Sequence, residues 1–198
     1  AGQWSRDAVH IRIATGLPVD HMHDASELKQ ALCGQHLIQT DIAEVIANVT
    51  EVMVMPQPYG TIYANTLTAD GEVNRQHTAM RTGVCDVGTY TVDLALDDDG
   101  EYVDAESGSV ESGVYTAHER IAALLERDYR QKIPFKLVEQ VVRTGVFRAS
   151  GEVVDYSEAV EEALATLRSA TLNLMSEKWK SGATIDVIYL SGGGADLV

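Results

Sequence analysis

Positive charge is scarce in this chain. Lys and Arg number 15 against 30 Asp and Glu, a formal net charge of −15 over 198 residues. A field of that sign repels phosphate backbones and anionic lipid headgroups, which argues against a broad nucleic-acid or membrane surface. Aromatic residues make up only 6%, so the core is expected to be built from Val, Ile, Leu and Ala. Cys33 and Cys85 are the only cysteines and show no Cys-x-x-Cys spacing. That excludes a disulfide scaffold and suits a reduced, cytoplasmic chain, while leaving a single Cys33–Cys85 bridge open. No apolar run approaches the roughly 18 residues a membrane span needs. Ala1 to His10 carry charge without an apolar centre, so no signal peptide is expected. The chain opens without Met, directly ahead of a strand-like run, and reads as a piece of a longer protein. With 45% hydrophobic and 23% charged residues it is otherwise an ordinary globular chain, long enough for one large domain or two small lobes.

Alternation predicts a strand over residues 9–14, ended by Thr15-Gly16-Leu17-Pro18. A short helix over 26–32, strands over 35–40 and 51–55, and a helix over 58–67 follow, then a polar stretch from Thr68 to Arg81. In the centre, residues 82–88 read as a strand entering a tight glycine turn. A second strand follows over 90–96 and a third over 101–106, joined by the hairpin turn Asp97-Asp98-Asp99-Gly100. Helical spacing places Val114, His118, Ile121, Ala122, Leu125 and Tyr129 on one face, with either a capping box at Thr116 to Glu119 or a start a few residues earlier. Pro134 opens another helix through Val142. The third carries the stripe Val160, Leu164, Leu167, Thr171 and Leu174, with Ser157 as cap, acids in its first turn and lysines in its last. Residues 184–190 read as a buried strand. Strands, then helices, then a final strand imply a mixed α/β domain.

Two glycine turns each follow a strand directly. In Asp86-Val87-Gly88-Thr89-Tyr90-Thr91-Val92-Asp93 an acid stands at a strand end, where α/β sheets bind ligands. Gly88 lets the backbone approach an anion, and Thr89 and Thr91 add hydroxyl donors. An acid beside a phosphate needs a cation between them, so Asp86 with hydrated Mg²⁺ makes physical sense. In Ser191-Gly192-Gly193-Gly194-Ala195 three glycines let the backbone lie against a planar or phosphorylated ligand. Taken singly, the first turn is also explained by a plain hairpin and the second by a flexible terminus. His21-Met22-His23, with Cys33 and His36 nearby, fits no standard zinc spacing and reads as loop and surface histidines. Asp97 to Gly100 lacks the distant Glu of a calcium loop.

Taken together, the two turns resemble the second phosphate motif and the adenosine motif of the actin-like ATPases. Within that superfamily the chain is most similar to plasmid-segregating actins of the StbA/ParM type and to archaeal actin relatives. Ser107 to Gly113 resembles the family's link into its second lobe. Ala14 to Val19 and Val54 to Gly60 resemble landmarks of the segregation branch. The resemblance implies a ribonuclease-H-like fold, a mixed sheet with flanking helices. Residues 1–81 would be the remainder of the first lobe and 82–198 a second lobe ending at the adenosine motif. Asp86 would organise Mg²⁺ through water, and Gly88, Thr89, Tyr90 and Thr91 would bind the phosphates of ATP (or GTP). Gly192, Gly193 and Gly194 would line the adenosine, and Gln57 falls where the family orients the attacking water, which an amide holds by donating and accepting at once. The implied partners are further copies in a filament and a DNA-binding adaptor, with DNA or another cargo to segregate or position.

The sequence also departs from the family. Nothing in Ala1 to Asp20 resembles its first phosphate motif. Half a phosphate cradle forfeits most of the electrostatic stabilisation, so the parent protein is expected to be an ATPase and this piece inactive. A sugar-kinase-like or phosphatase-like enzyme of the same fold and a non-catalytic scaffold are the alternatives.

Overall fold

The computed structural model describes residues 9–39, 41, 44–68, 70–73, 80–149 and 151–198. The first eight positions and much of the polar stretch expected between Thr68 and Arg81 lie outside them.

The first part of the chain builds a three-stranded sheet. β1 (Val9–Leu17) runs parallel to β3 (Glu44–Pro56), and β2 (Gly34–Gln39) pairs antiparallel with β3 on its other side. Two helices, α1 (Ala25–Leu32) and α2 (Tyr59–Thr66), accompany it. β1 runs past the expected turn at Thr15-Gly16, because both residues pair with Val54 and Met55 of β3. β3 begins well before the expected Glu51, since Glu44 to Val49 supply the whole register for β2.

The second sheet carries the core. β4 (Arg81–Val87), β5 (Val92–Asp98) and β6 (Glu101–Tyr102) form a meander, β7 (Gly108–Val110) returns to β5, and β10 (Val187–Ser191) lies parallel to β4. The β5–β6 turn is the expected Asp-Gly hairpin: Asp99 and Gly100 have φ of 53° and 84°, and Asp98 pairs with Glu101. The strand expected over 101–106 stops at Tyr102. There the Ser107 hydroxyl takes the Leu96 amide and donates to the Val103 carbonyl, bending the chain into a short 3-10 turn ahead of β7.

Helices α3 (Val114–Tyr129), α4 (Phe135–Thr144) and α5 (Ser157–Trp179) cover one face of this sheet. A hairpin of β8 (Val146–Ala149) and β9 (Glu152–Asp155), absent from the sequence reading, joins α4 to α5. Alternate residues of β4 and β5 serve opposite faces. Cys85, Val87, Val92, Leu94 and Leu96 pack with Ile121, Leu125, Leu164 and Leu167, whereas Val84 and Ala95 meet Tyr59 and Ile62 of α2. Burial on both faces explains why these strands read as continuous apolar runs. The predicted α5 stripe is buried in full.

Two capping expectations change. α3 starts at Val114, which puts Thr116 inside the helix. Ser157 is likewise inside α5, as its first residue, and its amide donates at 2.8 Å to the carboxylate of Asp155, the residue before N-cap Tyr156. Cys33 and Cys85 are free thiols, one exposed and one buried. No described helix is long and apolar enough to cross a membrane.

Candidate functional site

The parallel pairing of β4 and β10 sets Ser191 beside Asp86, so both glycine turns leave the sheet at the same end. That is the carboxyl end, where ligands bind in open α/β sheets. Gly192 has φ +88°, and a Cβ there would collide with Asp86 Oδ1 and the Val87 carbonyl. The Gly194 amide donates to the same Val87 carbonyl at 3.0 Å. A Cβ on Gly194 would strike Val114 and Val87, while Gly193 faces open space. Gly192 and Gly194 therefore let the loop lie flat over the end of β4.

Burial pushes the Asp86 carboxyl above its usual range, and Asp93, its cross-strand partner, adds to the rise. The Ser191 hydroxyl beside Asp86 opposes the rise without reaching hydrogen-bond geometry. It is buried and has no partner among the described residues. A half-buried carboxylate and an unpartnered hydroxyl at a glycine cradle form a site suited to a hydrated cation.

The turn over residues 88–91 is held from behind. The Gly88 amide donates to the Thr91 carbonyl at 2.9 Å, so this amide is engaged within the turn. The first amides of α3, at Val114 and Tyr115, donate to the Gly88 and Thr89 carbonyls at 3.2 and 2.8 Å. Gly113 lies so close to the Thr89 backbone that no side chain fits. The Thr91 hydroxyl points inward to Asp93 at 2.7 Å. Thr89 and Tyr90 form the exposed tip, with the Tyr90 ring tilted against Tyr115 at 5.2 Å.

Gln57 sits at the corresponding end of the other sheet. Its amide donates to the Leu17 carbonyl at 2.8 Å, and its side chain lies over Gly16. The connection between the sheets passes through Asp93, whose place in the motif gives no local sign of this role. Asp93 is 2% exposed and accepts from the Val19 amide at 3.1 Å, from Thr91 and from the Ser109 hydroxyl. Asp20 accepts from the Ser109 amide at 3.2 Å. The chain just past β1 is thus stitched to β5 and β7, behind Asp86.

Arg143 was also missed. It donates to the Gly193 carbonyl at 3.0 Å and to Asp196 at 3.2 Å, tying the end of α4 to the second glycine loop. A cavity of about 280 Å³ opens beside that loop, lined by Arg143, Thr144, Glu161, Arg168 and Asp196 among others. In the sequence Arg143 is only a basic residue in the last turn of a helix, which the helix dipole already explains.

Comparison with known proteins agrees with this geometry. Residues 84–198 match the family model described as archaeal actin homologue MreB-like, C-terminal, and residues 2–60 match the N-terminal domain of actin-like proteins. No curated protein matches the chain. Among solved structures, the archaeal actin homolog Ta0583 in complex with ADP superposes with a TM-score of 0.77 at 20% identity, covering 96% of this chain and 61% of its own. The apo ParM protein of psk41 gives 0.67 at 21% identity, covering 96% of this chain and 54% of its own. ParM in a 15-stranded filament from Clostridium botulinum gives 0.70 at 20% identity, covering 93% and 56%. The chain therefore spans between 54% and 61% of the length of these relatives. The fold is the expected ribonuclease-H-like, actin-like one, a mixed sheet with flanking helices. With more than half of its length matched by the archaeal actin homologue model, the chain belongs to the actin-like family.

Proposed function

We propose that the two glycine turns form part of the nucleotide cleft of a cytoplasmic actin-like protein. On this reading the full protein hydrolyses ATP (or GTP) with Mg²⁺ and polymerises to segregate or position DNA or another cargo through a DNA-binding adaptor. The observation that carries the reading is the contact of Asp86 with Gly192, which brings a half-buried acid and both turns to one end of the sheet. The fit to a bound metal–nucleotide rests on the open space at Gly193 and on half-buried Asp86 beside the unpartnered Ser191 hydroxyl.

Asp86 holds the cation through water, and Thr89 and Tyr90 at the exposed tip face the phosphates. Gly88 and Thr91 shape the turn from within. Gly192, Gly193 and Gly194 line the adenosine, with Arg143 bracing that loop from α4. Bound Mg²⁺ supplies charge neutralisation for the phosphate oxygens. Gln57 positions water with its carboxamide, one end donating and the other accepting. Residues 1–81 belong to a first lobe and 82–198 to a second, the pair clasped at Asp93. The adjacent glycine turns and an ADP complex of a similar fold support this reading. Filaments of a similar fold support assembly.

The test is phosphate release by the full-length protein with Mg²⁺ and ATP, beside Asp86→Asn, with light scattering to follow assembly. Turnover lost in the variant supports the reading. Absence of both turnover and an ATP-induced thermal shift overturns it and leaves a scaffold that kept the fold.

A further inference from the structure

The segment after β1 is a 3-10 turn over Val19–Asp24, anchored by the Val19 amide on Asp93 and by Asp20 on Ser109. With three residues per turn, positions i and i+3 share a face. His21 and Asp24 therefore come together, His21 Nδ1 lying 3.7 Å from Asp24 Oδ2. His23 approaches the other carboxylate oxygen, with Nε2 at 3.3 Å from Asp24 Oδ1. One potential ligand atom from each of the three lies within 4.8 Å of the others.

The orientation of His23 is informative. Its Nδ1 is 2.9 Å from the Asp20 carbonyl oxygen, which only accepts, so Nδ1 carries the proton. Nε2, the other ring nitrogen, faces the Asp24 carboxylate oxygen. A metal ion placed among the three would take His23 Nε2, an Asp24 oxygen and the His21 nitrogen together. A ring N–H on a backbone carbonyl, with the other nitrogen on the ion, is the usual arrangement of a metal-bound histidine.

We infer that His21, His23 and Asp24 form a divalent transition-metal site, filled best by Zn²⁺, with the remaining positions open to water. Two imidazoles and one carboxylate suit Zn²⁺ and its neighbours rather than Mg²⁺ or Ca²⁺, which prefer oxygen alone. Tetrahedral Zn²⁺ with bonds of about 2.0–2.2 Å places its ligand atoms about 3.3–3.5 Å apart. The His23–Asp24 pair already has that separation, and His21 reaches it by side-chain rotation in solvent. Cys33 and His36, which the sequence placed nearby, take no part in the cluster. His36 Nε2 is engaged by the Leu32 carbonyl at 2.8 Å. Bound metal stiffens the turn that holds Asp93 and Ser109, and so the connection between the two sheets. This site is independent of the nucleotide reading.

The test uses the untagged chain without nucleotide, titrated with Co²⁺ and then Zn²⁺. Expected results are one Co²⁺ per chain with visible d–d absorption, displacement by Zn²⁺, and a raised Tm reversed by chelator. His23→Asn and Asp24→Asn weaken binding about tenfold or more, while His36→Asn leaves it unchanged. His23 is exposed and Asp24 and His36 are half-buried outside the core, so circular dichroism should report folded variants. No one-to-one binding, or equal binding by wild type, His23→Asn and Asp24→Asn, overturns the site.

Discussion

The Asp86 carboxylate occupies the space that a Cβ at Gly192 would take. These residues are far apart in the chain and become neighbours because β10 joins β4 in parallel register. Gly192→Ala must therefore both hold a left-handed backbone and displace Asp86. The expected loss is about 1–3 kcal/mol of stability, together with any nucleotide-dependent thermal shift. Urea unfolding and a thermal-shift titration with Mg²⁺–ATP check the two effects separately.

Asp86→Asn is expected to stabilise the ligand-free chain while removing metal–nucleotide binding. The carboxyl is raised in the folded state by burial and by Asp93. A raised acid binds its proton more readily folded than unfolded. Its ionisation therefore lowers stability as pH rises through the window between the unfolded and folded values. The variant should gain Tm relative to wild type between about pH 4 and about pH 7. An equal Tm difference at both ends would contradict the assignment.

Loss of Asp93 should be the most damaging single change near the site. Asp93→Ala strands the Val19 amide and the Thr91 and Ser109 hydroxyls in a buried place. The cost is about 2–4 kcal/mol, read by urea denaturation. Asp93→Asn keeps one acceptor oxygen and should lose less.

Asp155 accepts from the first amide of α5, and its carboxyl is held below its usual range by the Ser157 hydroxyl and amide. A depressed acid contributes stability above its unfolded value and loses it as pH falls through the folded value. Asp155→Ala should lower Tm at neutral pH, and the difference from wild type should close in acid. Ser157→Ala, which keeps the amide donor, should have the smaller effect.

Some of this was legible from local signals. The Asp99-Gly100 hairpin needs two positive φ angles, and few dipeptides supply them so readily. The α5 stripe repeats at the helical period because one face packs on a sheet. The order of the glycine turns carried the resemblance to actin-like proteins. Other features were locally silent. The β8–β9 hairpin has only short strands, and its turn includes Gly151 at φ +86°. Ser157 and Asp155 are both residue types that favour helix caps, yet the helix start puts Tyr156 at the cap position and leaves its first amide to Asp155.

The sequence by itself determined the mixed α/β class, the strand ends that enter glycine turns, and the acidic surface. These follow from backbone preference, periodicity and composition, which act over a few residues or over the whole chain. The tertiary structure alone decided that Asp86 meets Gly192, that Asp93 holds Val19, that Arg143 braces Gly193, and which face of a 3-10 turn gathers His21, His23 and Asp24. Each of these depends on strand register, burial or turn geometry, and a linear pattern does not state which distant groups must satisfy one another once water is excluded.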